Sequence, residues 1–334
     1  VELENIRYDD ARSGKVQVAA VAANPEVSAQ PLIRVSLMED ETKSGEEKIT
    51  VVEQRLRIVM VGPSEVFPLI PPFTPLNPNQ ENTTVLEVRL TRAGRPVAEH
   101  PISLMTDYVD GSGGHDHISP RRTRSFENYG HFVSTRTNRR DNPIADITGA
   151  DGRASFGYVA SQFGDRMKIQ AESSRNRLLW DTTSIVERVP DLEELPAGRP
   201  YELVGAPDNH SGTNDPCRDA SSVTSFHYRN HYGTPRLIQA IRNIAAAYDS
   251  LNPGVRLRIN DMSLVNGGLF DHRNNWQTPH NEHRVGKNAD VGFTGIDSQG
   301  RCINLNRRDL ARLIRYGTQN EPLDENDHYH IRVQ

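Results

Sequence analysis

Eight of the twelve histidines in this chain follow Tyr201: His210, His227, His231, His272, His280, His283, His328 and His330. They are densest in NWQTPHNEHRVGKNADVGF (275–293), where His283 precedes Asp290 by seven residues with Gly286 between them. The glycine lets the chain turn, so that an imidazole and a carboxylate can converge on one cation, and such a donor pair suits a borderline metal such as zinc. A third ligand must come from elsewhere, and the chain ends in ENDHYHIRVQ. In a strand His328 and His330 project to the same face, because side chains repeat every two residues. One can ligate while its neighbour meets substrate or bound water. An H-x-H pair near a terminus says little alone. Joined to H-x6-D after a Gly-rich loop it specifies a metal site, since histidines satisfied within a core rarely take this arrangement.

The elements that must position these side chains lie in a segment of distinct character. GTPRLIQAIRNIAAAYDSLNPG begins with Thr234 as a helix N-cap and Pro235 at the first helical position. Leu237, Ile238, Ile241, Ile244, Ala245 and Tyr248 then follow helical spacing, and Gly254 supplies a stop. This predicts an amphipathic helix packed on a sheet, followed by a strand from Val255 to Ile259 and a second helix from Asn306, its cap, to Gly317. Residues 201–334 therefore read as an α+β domain with a small antiparallel sheet. His227 and His231 stand four apart, as two ligands on a helix would, but SFHYRNHYG carries no other helical signal, so they read as surface or accessory histidines.

Upstream the pattern is β. Short apolar stretches at 16–21 and 32–37 precede the alternating run ITVVEQRLRIVMV (49–61). Six prolines among residues 61–79 then mark a linker or an extended edge. Strands follow from Thr84 to Leu90, Pro96 to Thr106, Arg153 to Val159 and Arg166 to Ala171, with a turn at Gly149 to Gly152, which predicts an antiparallel sandwich of the immunoglobulin type. TGADGRASFGYVASQFGDRMKIQAES (148–173) also resembles the closing half of bacterial Ig-like repeats. The organisation expected is a β-rich region at 1–80, an Ig-like sandwich with a long insertion at 81–190, a linker at 191–200 within the acidic, Pro-containing stretch 187–201, and the α+β domain at 201–334. The insertion, 107–146, holds His115, His117 and six arginines between Arg121 and Arg140. It reads as a solvated loop, with metal or anion binding as the alternative.

The chain has 334 residues, a net charge of -5, 25% charged and 35% hydrophobic residues. That suits two or three domains with modest cores, excludes global disorder, and lacks the basic balance of a nucleic-acid binder. No apolar run is long enough to span a bilayer, and VELENIRYDD is not a signal sequence. The two cysteines, Cys217 and Cys302, cannot build a four-thiolate zinc site. In an exported protein they form one disulfide; the alternative is two buried thiols.

SLVNGGLFDHRNNWQTPHNEHRVGKNADV and the terminal DHYHIRV resemble the metallopeptidases that include lysostaphin-type endopeptidases, D-Ala-D-Ala carboxypeptidases and the hedgehog signalling domain. Within that group the likeness is to penicillin-insensitive murein endopeptidases. Their pattern of a Gly-Gly segment, H-x-x-H-x-x-G-x-x-x-D and a terminal D-H-aromatic-H-hydrophobic-R falls on His280, His283, Gly286 and Asp290, then on Asp327, His328, Tyr329, His330, Ile331 and Arg332. It covers about 100 residues and none of the first 200.

The resemblance implies that His283, Asp290 and His330 hold one zinc. His328 would act as general base or stabilising cation, and His280 would contact the scissile carbonyl or the bound water. It implies a peptidase acting on peptidoglycan peptides in the periplasm or outside the cell, with the Ig-like part meeting the wall or a protein partner, and it strengthens the disulfide. Two alternatives are a D,D-carboxypeptidase or dipeptidase of the same group and a non-catalytic, zinc-containing surface binding protein. There are two departures: Glu325 stands where these enzymes often carry a further histidine, and the loop 271–278 is longer, with Trp276 either a wall for substrate or a packing aromatic.

Overall fold

The computed structural model describes residues 54–70, 82–115, 121–204, 217, 227, 229–271, 276, 282–325 and 327–334. It also gives four short strands before them: β1 (Ile6–Tyr8) pairs with β2 (Val16–Val18), and β3 (Arg34–Ser36) with β4 (Ser44–Glu46).

A two-sheet sandwich follows. Its strands are β5 (Gln54–Met60), β6 (Glu65–Val66), β7 (Thr83–Arg92), β8 (Arg95–Pro96), β9 (Pro101–Tyr108), β10 (His131–Ser134), β11 (Arg140–Asp141), β12 (Ile144–Ile147), β13 (Arg153–Val159), β14 (Arg166–Ser173) and β15 (Trp180–Glu187), with one helical turn, α1 (Phe126–Tyr129), before β10. One sheet runs β11-β10-β13-β7-β5, with β8 against β7, and the other runs β12-β9-β14-β15-β6. Alternation builds the core: in β9 Ile102, Leu104, Thr106 and Tyr108 are buried while the residues between them are half-buried. Leu86, Val88 and Leu90 of β7 and Phe156 and Tyr158 of β13 meet Met167 and Ile169 of β14 across the interior. The turn closed by Gly149 N–H to Arg153 O, 2.7 Å, opens β13 where the sequence places it.

The structure differs from the sequence reading at one boundary and in one segment. The sandwich begins at β5, not at residue 81, because β5 pairs with β7 along its whole length and β6 with β15. Among its described residues the 107–146 insertion is not a solvated loop: it supplies α1, β10, β11 and most of β12, and Phe132 and Ile144 from it are fully buried. Strands of two to four residues carry too few inward side chains for alternation to reveal them among arginines.

The C-terminal domain comprises β16 (Glu193–Glu194), β17 (Tyr201–Leu203), β18 (Tyr232–Gly233), α2 (Pro235–Leu251), β19 (Arg256–Ile259), β20 (Asn288–Ile296), β21 (Cys302–Asn304), α3 (Arg307–Thr318), β22 (Leu323–Glu325) and β23 (His328–Arg332). Its sheet runs β17-β19-β20-β23-β22 with β21 on β20, antiparallel except for the β17 and β19 pair. Thr234 Oγ1 accepts from Leu237 N–H and Asn306 Oδ1 from Asp309 N–H, so both helices start at the capping residues that the sequence indicates. Leu237, Ile241, Ile244 and Tyr248 of α2 and Leu310 and Ile314 of α3 bury against Leu257, Val291 and Ile331 of the sheet. Cys217 and Cys302 form a disulfide, tying residue 217 to β21. No helix among the described residues is long and apolar enough to cross a membrane.

The 191–200 segment joins the two bodies but is packed: β16 pairs with β18, and Leu195 is fully buried. The bodies also bond directly. Phe163 bridges Gly268, Leu269 N–H donates to Gln162 O at 2.7 Å, and Val189 N–H to Asn266 O at 2.8 Å. Gly268 has φ of +81°, and a Cβ there would stand 2.3 Å from the Gly164 nitrogen, so this approach requires glycine.

Candidate metal centre

Strand register assembles the site. In the antiparallel β20 and β23 pair, Asp290 lies opposite His330 and Gly292 opposite His328, so both histidines share the face on which Asp290 projects. His330 Nδ1 stands 2.8 Å from Asp290 Oδ1, and His328 Nε2 3.4 Å from the same oxygen. His283 arrives from the turn before β20, its Nε2 3.3 Å from Asp290 Oδ2. Gly286 makes that turn possible: its φ is +66°, and a Cβ would lie 2.2 Å from Leu192 Cδ2. The Gly286 carbonyl accepts the Thr234 N–H at 2.8 Å, which anchors the turn to the capped start of α2.

The electrostatics follow. Burial would raise the Asp290 carboxyl, but the charge of His283 and hydrogen bonds with His283, His328 and His330 outweigh it and hold the group well below the usual carboxylate range. Burial would lower the His328 imidazole, yet Asp290 and Asp327 push it up to about 9. Its Nδ1 meets Asp327 Oδ1 at 2.8 Å, and Glu325 Oε2 lies 3.3 Å from its Nε2. Glu325, on β22, is directly opposite His328 in register, which sets a carboxylate against this histidine.

His283, Asp290 and His330 offer donor atoms all within 4.8 Å of one another, and all three residues are buried. Two imidazoles and an ionised carboxylate at that spacing fit a divalent ion of the zinc type. His328 is the cluster's partly exposed member, its side chain 15% accessible against 1–4% for the other three. His280 lies outside the described residues.

The sequence reading held metal binding at His115 only as an alternative and did not group it with the partners it has here. His115, His227 and Asp271 also bring their donor atoms within 4.8 Å of one another, and all are buried. His227 and His231, read as surface or accessory histidines, are 0% and 4% exposed; His231 Nε2 faces Ile259 O at 3.2 Å. Trp276 is placed as a packing aromatic. It is 8% exposed and packs with Tyr108, Phe163 and His115, and the Arg122 guanidinium lies 4.1 Å from its ring centroid. His117 lies outside the described residues. Asp271 had no spacing signal, because its partners stand 44 and 156 residues away.

No protein-family model and no curated protein matches the chain. Among solved structures it is similar to the Yersinia pseudotuberculosis adhesin InvE, at 8% identity and a TM-score of 0.27 over 45% of this chain and 36% of that one. It is also similar to a conjugative transposon lipoprotein from Bacteroides eggerthii, at 8% identity and a TM-score of 0.23 over 40% of this chain and 95% of that one. The match thus takes in about a third of the adhesin's length. Neither likeness bears on the site.

Proposed function

We propose that the C-terminal domain is a zinc-dependent peptidase that hydrolyses peptide bonds in peptidoglycan stem peptides or their cross-links. The observation that carries this reading is the convergence of His283, Asp290 and His330 with His328 beside them, in the roles that the murein-endopeptidase resemblance assigns. A zinc ion held by the three would supply Lewis acidity toward a peptide carbonyl and acidify a water.

The chain's own residues do the rest. Asp290 divides its carboxylate, Oδ2 toward His283 and Oδ1 toward His330 and His328, which fixes the rings around one point. His328, its imidazole braced on Asp327 at the edge where the cluster reaches solvent, is the group placed to exchange a proton with substrate. The disulfide suits a protein acting in the periplasm or outside the cell. The sandwich would then place the enzyme on the wall or on a protein partner.

Burial of the three ligands also favours a second reading, in which zinc is structural and the protein is a surface binding protein. A D,D-carboxypeptidase or dipeptidase would share the site and differ in the bond cut. Purified cross-linked muropeptides incubated with the zinc-loaded chain and with its His330→Ala variant, and analysed by mass spectrometry, test all three. New monomers from the intact chain alone support the endopeptidase, and stems shortened by a terminal residue point to the carboxypeptidase. No product from either, with zinc bound, would overturn the murein-hydrolase reading.

A further inference from the structure

We propose that His115, His227 and Asp271 form a second divalent-cation site, of the zinc class, which fastens the sandwich to the C-terminal domain. His115 Nδ1 and His227 Nε2 approach the same Asp271 oxygen, Oδ1, at 2.9 and 3.0 Å. In the first cluster the corresponding imidazole-to-carboxylate distances are 3.3 and 2.8 Å, so the two donor sets have the same make-up and nearly the same span. The other Asp271 oxygen accepts the Trp276 N–H at 2.6 Å, which fixes the carboxylate's orientation. Imidazole and carboxylate donors at this spacing suit zinc and its neighbours better than a hard cation, which prefers an all-oxygen shell.

The position says what such an ion would do. His115 extends from the end of β9 in the sandwich, whereas His227 and Asp271 belong to the C-terminal domain, so a bound ion is a cross-link between the two. Phe163, Phe270 and Trp276 pack against the imidazoles, with ring centroids 4.8 to 5.5 Å away. With all three donor residues buried among these rings, the ion would serve structure. Phe270 touches both clusters, with its ring 5.5 Å from His227 and 6.3 Å from His283. A cross-link here therefore steadies the segment behind the first site.

The test is zinc content, by inductively coupled plasma mass spectrometry of the full chain after loading with zinc chloride and desalting. Two zinc ions per chain are expected, falling to one in His227→Ala and to one in His283→Ala. Zinc retained by His283→Ala but lost from the double variant locates the remaining ion at the second cluster. One zinc per chain, lost with His283→Ala and unaffected by His227→Ala, overturns the proposal and leaves the peptidase reading intact. The converse, one zinc lost only with His227→Ala, sinks the first site and not the second. If His227→Ala fails to fold, the wild-type chain and His283→Ala still decide: a second site requires two ions and one.

Discussion

In the His283 cluster the carboxylate and one imidazole face each other on paired strands, Asp290 on β20 and His330 on β23, and the third donor sits seven residues before the carboxylate. In the His115 cluster the three donors come from one loop of the sandwich and two segments of the C-terminal domain, and the nearest pair in sequence is 44 residues apart. The donors are the same. The difference is that local geometry builds the first, through strand register and one glycine turn, whereas the second exists only once two domains have docked. A site made by register can keep an open edge, and His328 lies on it. A site made by docking is closed by what docks, here Trp276 and Phe163.

The largest expected effects break this comparison at its catalytic end. His283→Ala or Asp290→Ala should remove one zinc per chain and all muropeptide hydrolysis together. His328→Ala should keep that zinc and lose about 10²- to 10⁴-fold in rate, the range for a positioned proton-transfer group. Metal content and product release, measured on the same preparations, separate the two. Equal zinc loss in all three variants would erase the division between ligand and catalytic group. Full activity in His328→Ala, with zinc bound, would take the catalytic role away from His328.

The closed end is sharpened by Trp276. Its removal leaves a cavity among Tyr108, Phe163 and His115, and Trp276→Ala should cost about 3–5 kcal/mol of stability, read by thermal or denaturant unfolding. If the residue only packs, KM for a muropeptide substrate stays within twofold at a temperature where the variant is folded. A large rise in KM with little loss of stability would restore the substrate-wall role.

What could be read in advance follows the same divide. Thr234-Pro235 and Asn306 marked both helix starts because caps are local chemistry, and Arg153 to Val159 was legible as a strand because it alternates as far as Tyr158. His283, Asp290 and His330 were legible because a strand period and a glycine turn put them on one face. Asp271 was not, since nothing in its own neighbourhood distinguishes a carboxylate that will meet His115 of another domain. The strands within 107–146 were hidden for a related reason: each is too short to show a period, and their partners β9 and β13 decide that they form.

A third buried carboxylate extends the comparison and gives the smallest effect. Glu187, at the end of β15, is fully buried like Asp271, but its neighbours are hydroxyls: Tyr158 donates at 2.5 Å, and Ser161 through its N–H at 2.7 Å and its Oγ at 2.5 Å. Burial raises its pKa to about 7, more than these donors lower it, whereas imidazoles hold Asp290 ionised. The sign follows from proton binding. Below about pH 4.5 both folded and unfolded chains keep the proton and Glu187 contributes no pH dependence. Between about 4.5 and 7 the unfolded chain releases it and the fold retains it, so stability falls as pH rises; above about 7 the loss is complete, at most about 3 kcal/mol. Glu187→Gln cannot titrate. Its melting temperature should therefore drop less between pH 5 and pH 8 than that of the parent chain, whatever constant offset the lost hydrogen bonds impose. Parallel pH profiles for the two would mean that Glu187 is ionised in the fold throughout that range, and that hydroxyl donors can hold a buried carboxylate charged as well as imidazoles do.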